Sequence, residues 1–159
     1  MSKFPENAQY RVSEAFSKRL KHIMYDNDCS SNKEFAELVG ISIPVIAKAV
    51  NFGIIPSSRI LVKIADKLEL SLAYLLGMAD GNDFIAANNP STFDVRLAEL
   101  VKDNETNYGR LAGEMTFPRT YMYVWIRDKT IPTVDYLLEL SNYFKVSLDY
   151  LLGRTDIKI

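Results

Sequence analysis

The chain has 159 residues, 48% of them apolar, with 19 basic side chains against 20 acidic ones and a net charge of −1. That balance excludes a disordered polyelectrolyte, and no apolar run approaches the 18 residues a membrane span needs. The single cysteine, Cys29, cannot form an internal disulfide, and the opening Met-Ser-Lys-Phe-Pro-Glu is not a signal sequence, so the cytoplasm is the expected compartment.

Residues 1–14 show no clear period and read as an arm. Phe16, Leu20, Ile23 and Met24 recur at helical spacing and predict a first helix over 15–26. Ser31 followed by Glu34 has the spacing of a capping box, and opens a second helix whose inward residues are Phe35, Ala36 and Val39. Gly40 supplies a turn conformation that other residues resist. Ser42 then caps a third helix running to Asn51, with Pro44 tolerated in its first turn. Pro56 and Ser57 start a fourth, carried by Ile60, Leu61, Ile64, Ala65 and Leu68, and residues 71–77 make a short fifth. Residues 81–91 read as a linker from their Gly, Asn and Pro content, although Phe84 and Ile85 are apolar enough to be expected against a core. Five more helices are predicted over 92–104, 107–114, 118–127, 133–144 and 147–153.

The second set repeats the first. Ser71-Leu72-Ala73-Tyr74-Leu75-Leu76-Gly77 returns as Ser147-Leu148-Asp149-Tyr150-Leu151-Leu152-Gly153, and Ile55-Pro56 returns as Ile131-Pro132, both at an offset of 76. Upstream the offset is 77, where Phe16, Arg19, Leu20, Ile23 and Met24 match Phe93, Arg96, Leu97, Leu100 and Val101. One residue is therefore missing between the first two helices of the second copy, where a loop absorbs it. A period this long exceeds that of solenoid repeats and predicts two small all-α domains, 1–80 and 92–159, joined by the linker 81–91.

The paired Phe35-Ala36-x-x-Val39-Gly40-Ile41-Ser42 and Ser-Leu-x-Tyr-Leu-Leu-Gly elements resemble the Cro/repressor (XRE-type) helix-turn-helix family over nearly all of residues 15–80 and 92–156. The resemblance implies two tandem five-helix lambda-repressor-like domains, each with its third helix suited to a DNA major groove. Carried over to this sequence, the outward positions of that helix in copy two are Arg119, Thr120, Tyr123, Val124 and Arg127. Arg119 is the candidate for bidentate contact with guanine, and Thr120, Tyr123 and Arg127 support it. In copy one the outward positions are Ile43, Pro44, Ala47 and Lys48, of which only Lys48 can donate to a base or phosphate. Implied phosphate contacts are Ser31, Asn32, Asn51 and Ser57 in copy one, and Asn107, Tyr108, Lys129 and Thr133 in copy two. Two departures from the family stand out: the turn glycine, Gly40, becomes Thr116, and Ser42 becomes Pro118. Positions 50 and 126, where many relatives carry a Glu able to pair with the first-helix Arg, hold Val50 and Ile126, so Arg19 and Arg96 need other partners.

The expected function is sequence-specific binding of double-stranded DNA by a transcriptional regulator. The alternative is a protein-interaction module that kept the fold and lost DNA binding, favoured by the acidic pI of about 5.9 and by Ile43, Pro44 and Ala47. An apolar outer face more often marks a protein contact, here a homodimer or another partner held through the first domain. No catalytic motif, metal-ligand spacing, phosphate-binding glycine loop or sensor domain is legible, so neither enzyme activity nor a metal, cofactor or small-molecule effector is expected.

Overall fold

Short serine- and asparagine-initiated segments set the helix starts. Ser13, Ser31, Ser57, Ser71, Asn107 and Ser147 each accept a backbone N–H from the first helical turn that follows, satisfying a donor the helix itself cannot. A computed structural model describes residues 12–159. In chain order the helices are α1 (Glu14–Asp26), α2 (Asn32–Val39), α3 (Ile43–Phe52), α4 (Ser58–Leu68), α5 (Leu72–Leu75), α6 (Phe93–Asp103), α7 (Tyr108–Gly113), α8 (Arg119–Asp128), α9 (Val134–Phe144) and α10 (Leu148–Leu151). The fold is all-α: the extended pairing among the described residues is an isolated antiparallel bridge between Val12 and Ile54. The arm predicted over 1–14 lies outside the described residues as far as position 11.

The chain divides into two compact units between Asp83 and Phe84, with α1–α5 in unit 1 and α6–α10 in unit 2. In unit 1, α1 packs on α3 and α5, α2 on α3 and α4, and α4 on α5. Phe16, Leu20, Phe35, Ile46, Leu61, Ile64 and Leu75 fill its core. In unit 2, α6 packs on α10, α7 on α8, and α9 on α10, around Leu97, Leu111, Phe117, Met122, Leu137, Leu140 and Leu151. There Trp125 meets Phe93 and Phe117 edge-on, with ring centroids 5.9 and 5.0 Å apart, a favoured aromatic geometry.

The sequence repeat is also a backbone repeat. Left-handed φ occurs at Asp28, Gly53, Glu69 and Gly77, and again at Glu105, Lys129, Lys145 and Gly153, in the same offsets of 77 and then 76. Each set marks the ends of the first, third, fourth and fifth helices. The two first-helix arginines repeat as well. Arg19 donates through Nη1 to the carbonyls of Tyr74 and Ala79, the latter at 2.8 Å, and its guanidinium stacks 4.0 Å from the Tyr74 ring. Arg96 donates to the carbonyls of Tyr150 at 3.1 Å and Thr155 at 3.2 Å and stacks 4.2 Å from the Tyr150 ring. These are the partners that Val50 and Ile126 could not provide.

Three local expectations need correction. The Glu34 carboxylate is held chiefly by Ser30 rather than by the Ser31 N–H of a capping box. It accepts the Ser30 N–H at 2.6 Å and the Ser30 hydroxyl at 2.8 Å, which holds its pKa below the ordinary carboxylate value. Ser42 caps α3 by position only, with no side-chain bond. Ile85 is 61% exposed rather than packed down. Its neighbour Phe84 is half-buried beneath the Arg154 guanidinium, 4.3 Å away.

The span predicted as a linker is fastened to both units. Asn82 accepts the Ser71 N–H at 2.8 Å and donates to the Glu69 carbonyl at 3.0 Å. Past the division, the Ala87 N–H donates to the Arg154 carbonyl at 2.9 Å, the Asn88 N–H to Asp156 at 2.8 Å and the Ser91 N–H to the Gly153 carbonyl at 3.1 Å. Arg154 itself forms a buried ion pair with Asp149, a pair absent from unit 1, where the matching residues are Ala73 and Met78.

Candidate nucleic-acid interface

The α7–α8 connection is built without the glycine turn of its counterpart. In unit 1, Gly40 ends α2 at φ 73°. In unit 2, Thr116 stands at that position, and Glu139 on α9 accepts both its N–H, at 2.8 Å, and its hydroxyl. A tertiary clasp thus replaces a residue able to adopt positive φ. Phe117 follows into the core against Trp125 and Tyr136, and Pro118 stands at the N-cap of α8, where its missing N–H costs nothing.

From that start α8 turns Met122 and Trp125 into the core and leaves Arg119, Thr120, Tyr123, Val124 and Arg127 exposed, with Ile126 half-buried. Arg119 and Tyr123 lie one turn apart, with the guanidinium 5.8 Å from the ring centroid. The same guanidinium lies over the first turn of α7: a Cβ on Gly109 would stand 3.2 Å from Arg119 Nη1 and 3.3 Å from Asn107 Oδ1. The structure therefore gathers Arg119, Asn107 and the start of α7 into one place. Arg127 is differently occupied, in a two-point pair with Asp128 at 2.9 and 3.1 Å. That pairing raises the arginine's pKa and lowers the aspartate's.

The implied phosphate contacts separate into distinct roles. Ser31, Ser57 and Asn107 accept backbone N–H groups from Glu34, Ile60 and Arg110 as helix caps. A hydroxyl that accepts in this way can still donate its proton. Asn32 is half-buried, and Asn51 and Thr133 are exposed. Tyr108 is half-buried, and its pKa is raised first by desolvation and then by the charge of Asp94. Lys129 is engaged: its Nζ lies 2.9 Å from Asp94 Oδ2. Asp94 also accepts from the Thr92 hydroxyl at 2.6 Å, and the two bonds, Thr92 foremost, lower its pKa.

Unit 1 presents a different face. On α3, Ile46, Ala49 and Val50 are buried, Ala47 is half-buried, and Ile43, Pro44 and Lys48 are exposed. Ile43 is 45% exposed, and Phe52, in the last turn, 67%. Lys48 is the one cation on that outward surface of α3.

Two residues of the site are not among those expected from the sequence. Tyr121 is exposed beside Tyr123, although its ring also meets Trp125 and Tyr136 at centroid distances of 6.2 and 6.0 Å. Its position on the α8 helical wheel was the available signal. Asp94 had none, because its partner lies 35 positions away. No helix among the described residues is long and apolar enough to cross a membrane. No family model matches the chain, and neither a curated protein nor a solved structure matches it.

Proposed function

We propose that the chain is a sequence-specific regulator of transcription, in which the two five-helix units are tandem helix-turn-helix domains and α8 reads double-stranded DNA. The observation that carries this reading is the grouping of Arg119, Thr120 and Tyr123 on the exposed first turns of α8, with Arg119 laid over the start of α7. A major groove admits one helix, and donors on its N-terminal turns then face base edges. The adjacent start of α7 supports a backbone contact beside them. Selection of duplexes from a random pool by the intact chain, followed by binding titrations, tests the reading. Arg119→Ala is expected to weaken the selected site by about 1–3 kcal/mol and to relax preference at one base position. Equal loss on selected and unselected duplexes would remove α8 as the reading helix.

Unit 1 supports a second role. The exposed Ile43, Pro44 and Phe52 offer α3 little to donate to a base, and they fit an apolar protein contact. Ile43→Asp is expected to change the assembly state of the intact chain in sedimentation while leaving its base preference intact. If this change alone abolishes duplex binding with assembly unaltered, unit 1 rather than unit 2 holds the DNA-reading surface.

A further inference from the structure

Lys129 follows directly after α8 as its C-cap residue, with φ 54°. Its side chain is 74% exposed, as a phosphate contact requires, yet the ammonium is held by a carboxylate that is only 12% exposed. Asp94 is fixed in turn: it sits in the first turn of α6, which favours a negative charge, and it accepts the Thr92 hydroxyl. Unit 1 carries no such pair at the matching positions. The positions matching Asp94 and Lys129 there are Ser17, whose hydroxyl donates to the Val50 carbonyl at 2.6 Å, and Gly53.

Accepting the DNA reading proposed above, on which this rests, we infer that Asp94 is a built-in competitor for DNA phosphate at Lys129. A phosphate approaching the end of α8 must draw the ammonium away from an anion already in place, and it meets that anion's repulsion as well. Neutralised phosphates supply most non-specific affinity and its salt dependence. The pair therefore holds down indiscriminate binding by unit 2 without touching the bases. Asp94 acts through Lys129 and is a positioning residue. The charge it adds near Tyr108 places two of the implied phosphate contacts under one carboxylate.

The test is fluorescence anisotropy of the intact chain on a random-sequence duplex across a salt series, with Asp94→Asn, Lys129→Ala and the double variant. Asp94→Asn is expected to bind about two- to fivefold tighter at low salt, the range of a surface ion pair. Its log–log salt slope should steepen by about 0.9, the equivalent of one freed cation. Lys129→Ala should cost more in the Asp94→Asn background than in the parent, because the lysine is then no longer shared. Asp94→Ser, which installs the residue of unit 1, gives the same comparison should Asp94→Asn fail to fold by circular dichroism. Parent-like or weaker binding with an unchanged slope in the folded variants overturns the role of Asp94 alone. Absence of binding by parent and variants alike at low salt overturns the DNA reading and this inference with it.

Discussion

Arg19 and Arg96 show how a single residue closes each unit. A helix of four residues, such as α5 or α10, is too short to satisfy the carbonyls at its own end. A planar guanidinium with five donors reaches one carbonyl of the helix, that of Tyr150, and one of the segment beyond it, that of Thr155, while stacking on the tyrosine of the same helix. Removing it takes this donor from the Thr155 carbonyl, while the Tyr150 carbonyl keeps the Gly153 N–H at 3.0 Å, and an acceptor that loses its donor costs more than the bond alone. Arg96→Ala is expected to destabilise unit 2 by about 1.5–3 kcal/mol, and Arg96→Lys to recover little of that, since an ammonium cannot span both carbonyls. Trp125 is the sole tryptophan and lies in the core of unit 2, so its fluorescence during urea unfolding reads this change. An Arg96→Lys variant as stable as the parent would show that charge, rather than the fork, closes the unit.

At the scale of elements, the helix ends that matter most are those after α3 and α8. Gly53 holds φ 70°, and a Cβ there would stand 2.3 Å from the Ser13 carbonyl. The Ser13 N–H donates to the Gly53 carbonyl at 2.8 Å, beside the Val12–Ile54 bridge. The close passage of residues 12–13 therefore requires glycine at this position. Lys129, its counterpart, adopts φ 54° with a full side chain that pairs with Asp94. Gly53→Ala is accordingly expected to cost about 1–3 kcal/mol, from positive φ and the displaced segment together. Hydrogen exchange at the Ser13 amide would register the loss locally. Protection equal to the parent's at that amide would mean that the segment accommodates a side chain.

At the scale of the whole molecule, two units built on one plan carry opposite surfaces. The third helix of one offers Ile43 and Pro44 where that of the other offers Arg119 and Thr120. A net charge of −1 is compatible with a local donor-bearing face, because binding depends on the charges near the contact rather than on their sum. The division between Asp83 and Phe84 also assigns residues 84–91 to unit 2. Phe84 lies against Arg154, and three backbone N–H groups of this segment are bonded to residues 153–156. A fragment spanning 84–159 is expected to be more stable than one spanning 92–159 by about 2–4 kcal/mol, a sum of modest hydrogen bonds and one half-buried ring. Urea midpoints from Trp125 fluorescence compare them, and equal midpoints would reduce 84–91 to a tether.

By itself the sequence determined the all-helical class, the ten helix positions to within a residue or two and the inward faces of α3 and α8. All of these follow from interactions within one or two helical turns: apolar spacing at three and four residues, and a capping oxygen before six of the ten starts. The matched left-handed turns were not legible in the same way: Asp28, Gly53 and Glu69 answer to the unlike residues Glu105, Lys129 and Lys145, and only Gly77 and Gly153 are equal residues. Tertiary structure decided the partners. Arg19 and Arg96 meet carbonyls more than fifty positions away, Thr116 is clasped by Glu139, and Lys129 is held by Asp94. Periodicity carries no record of such pairs, because a charged side chain on an outward face looks the same in a sequence whether it meets water or a carboxylate from another helix. Only packing brings the two together, and with them the difference between a lysine open to phosphate and one already engaged.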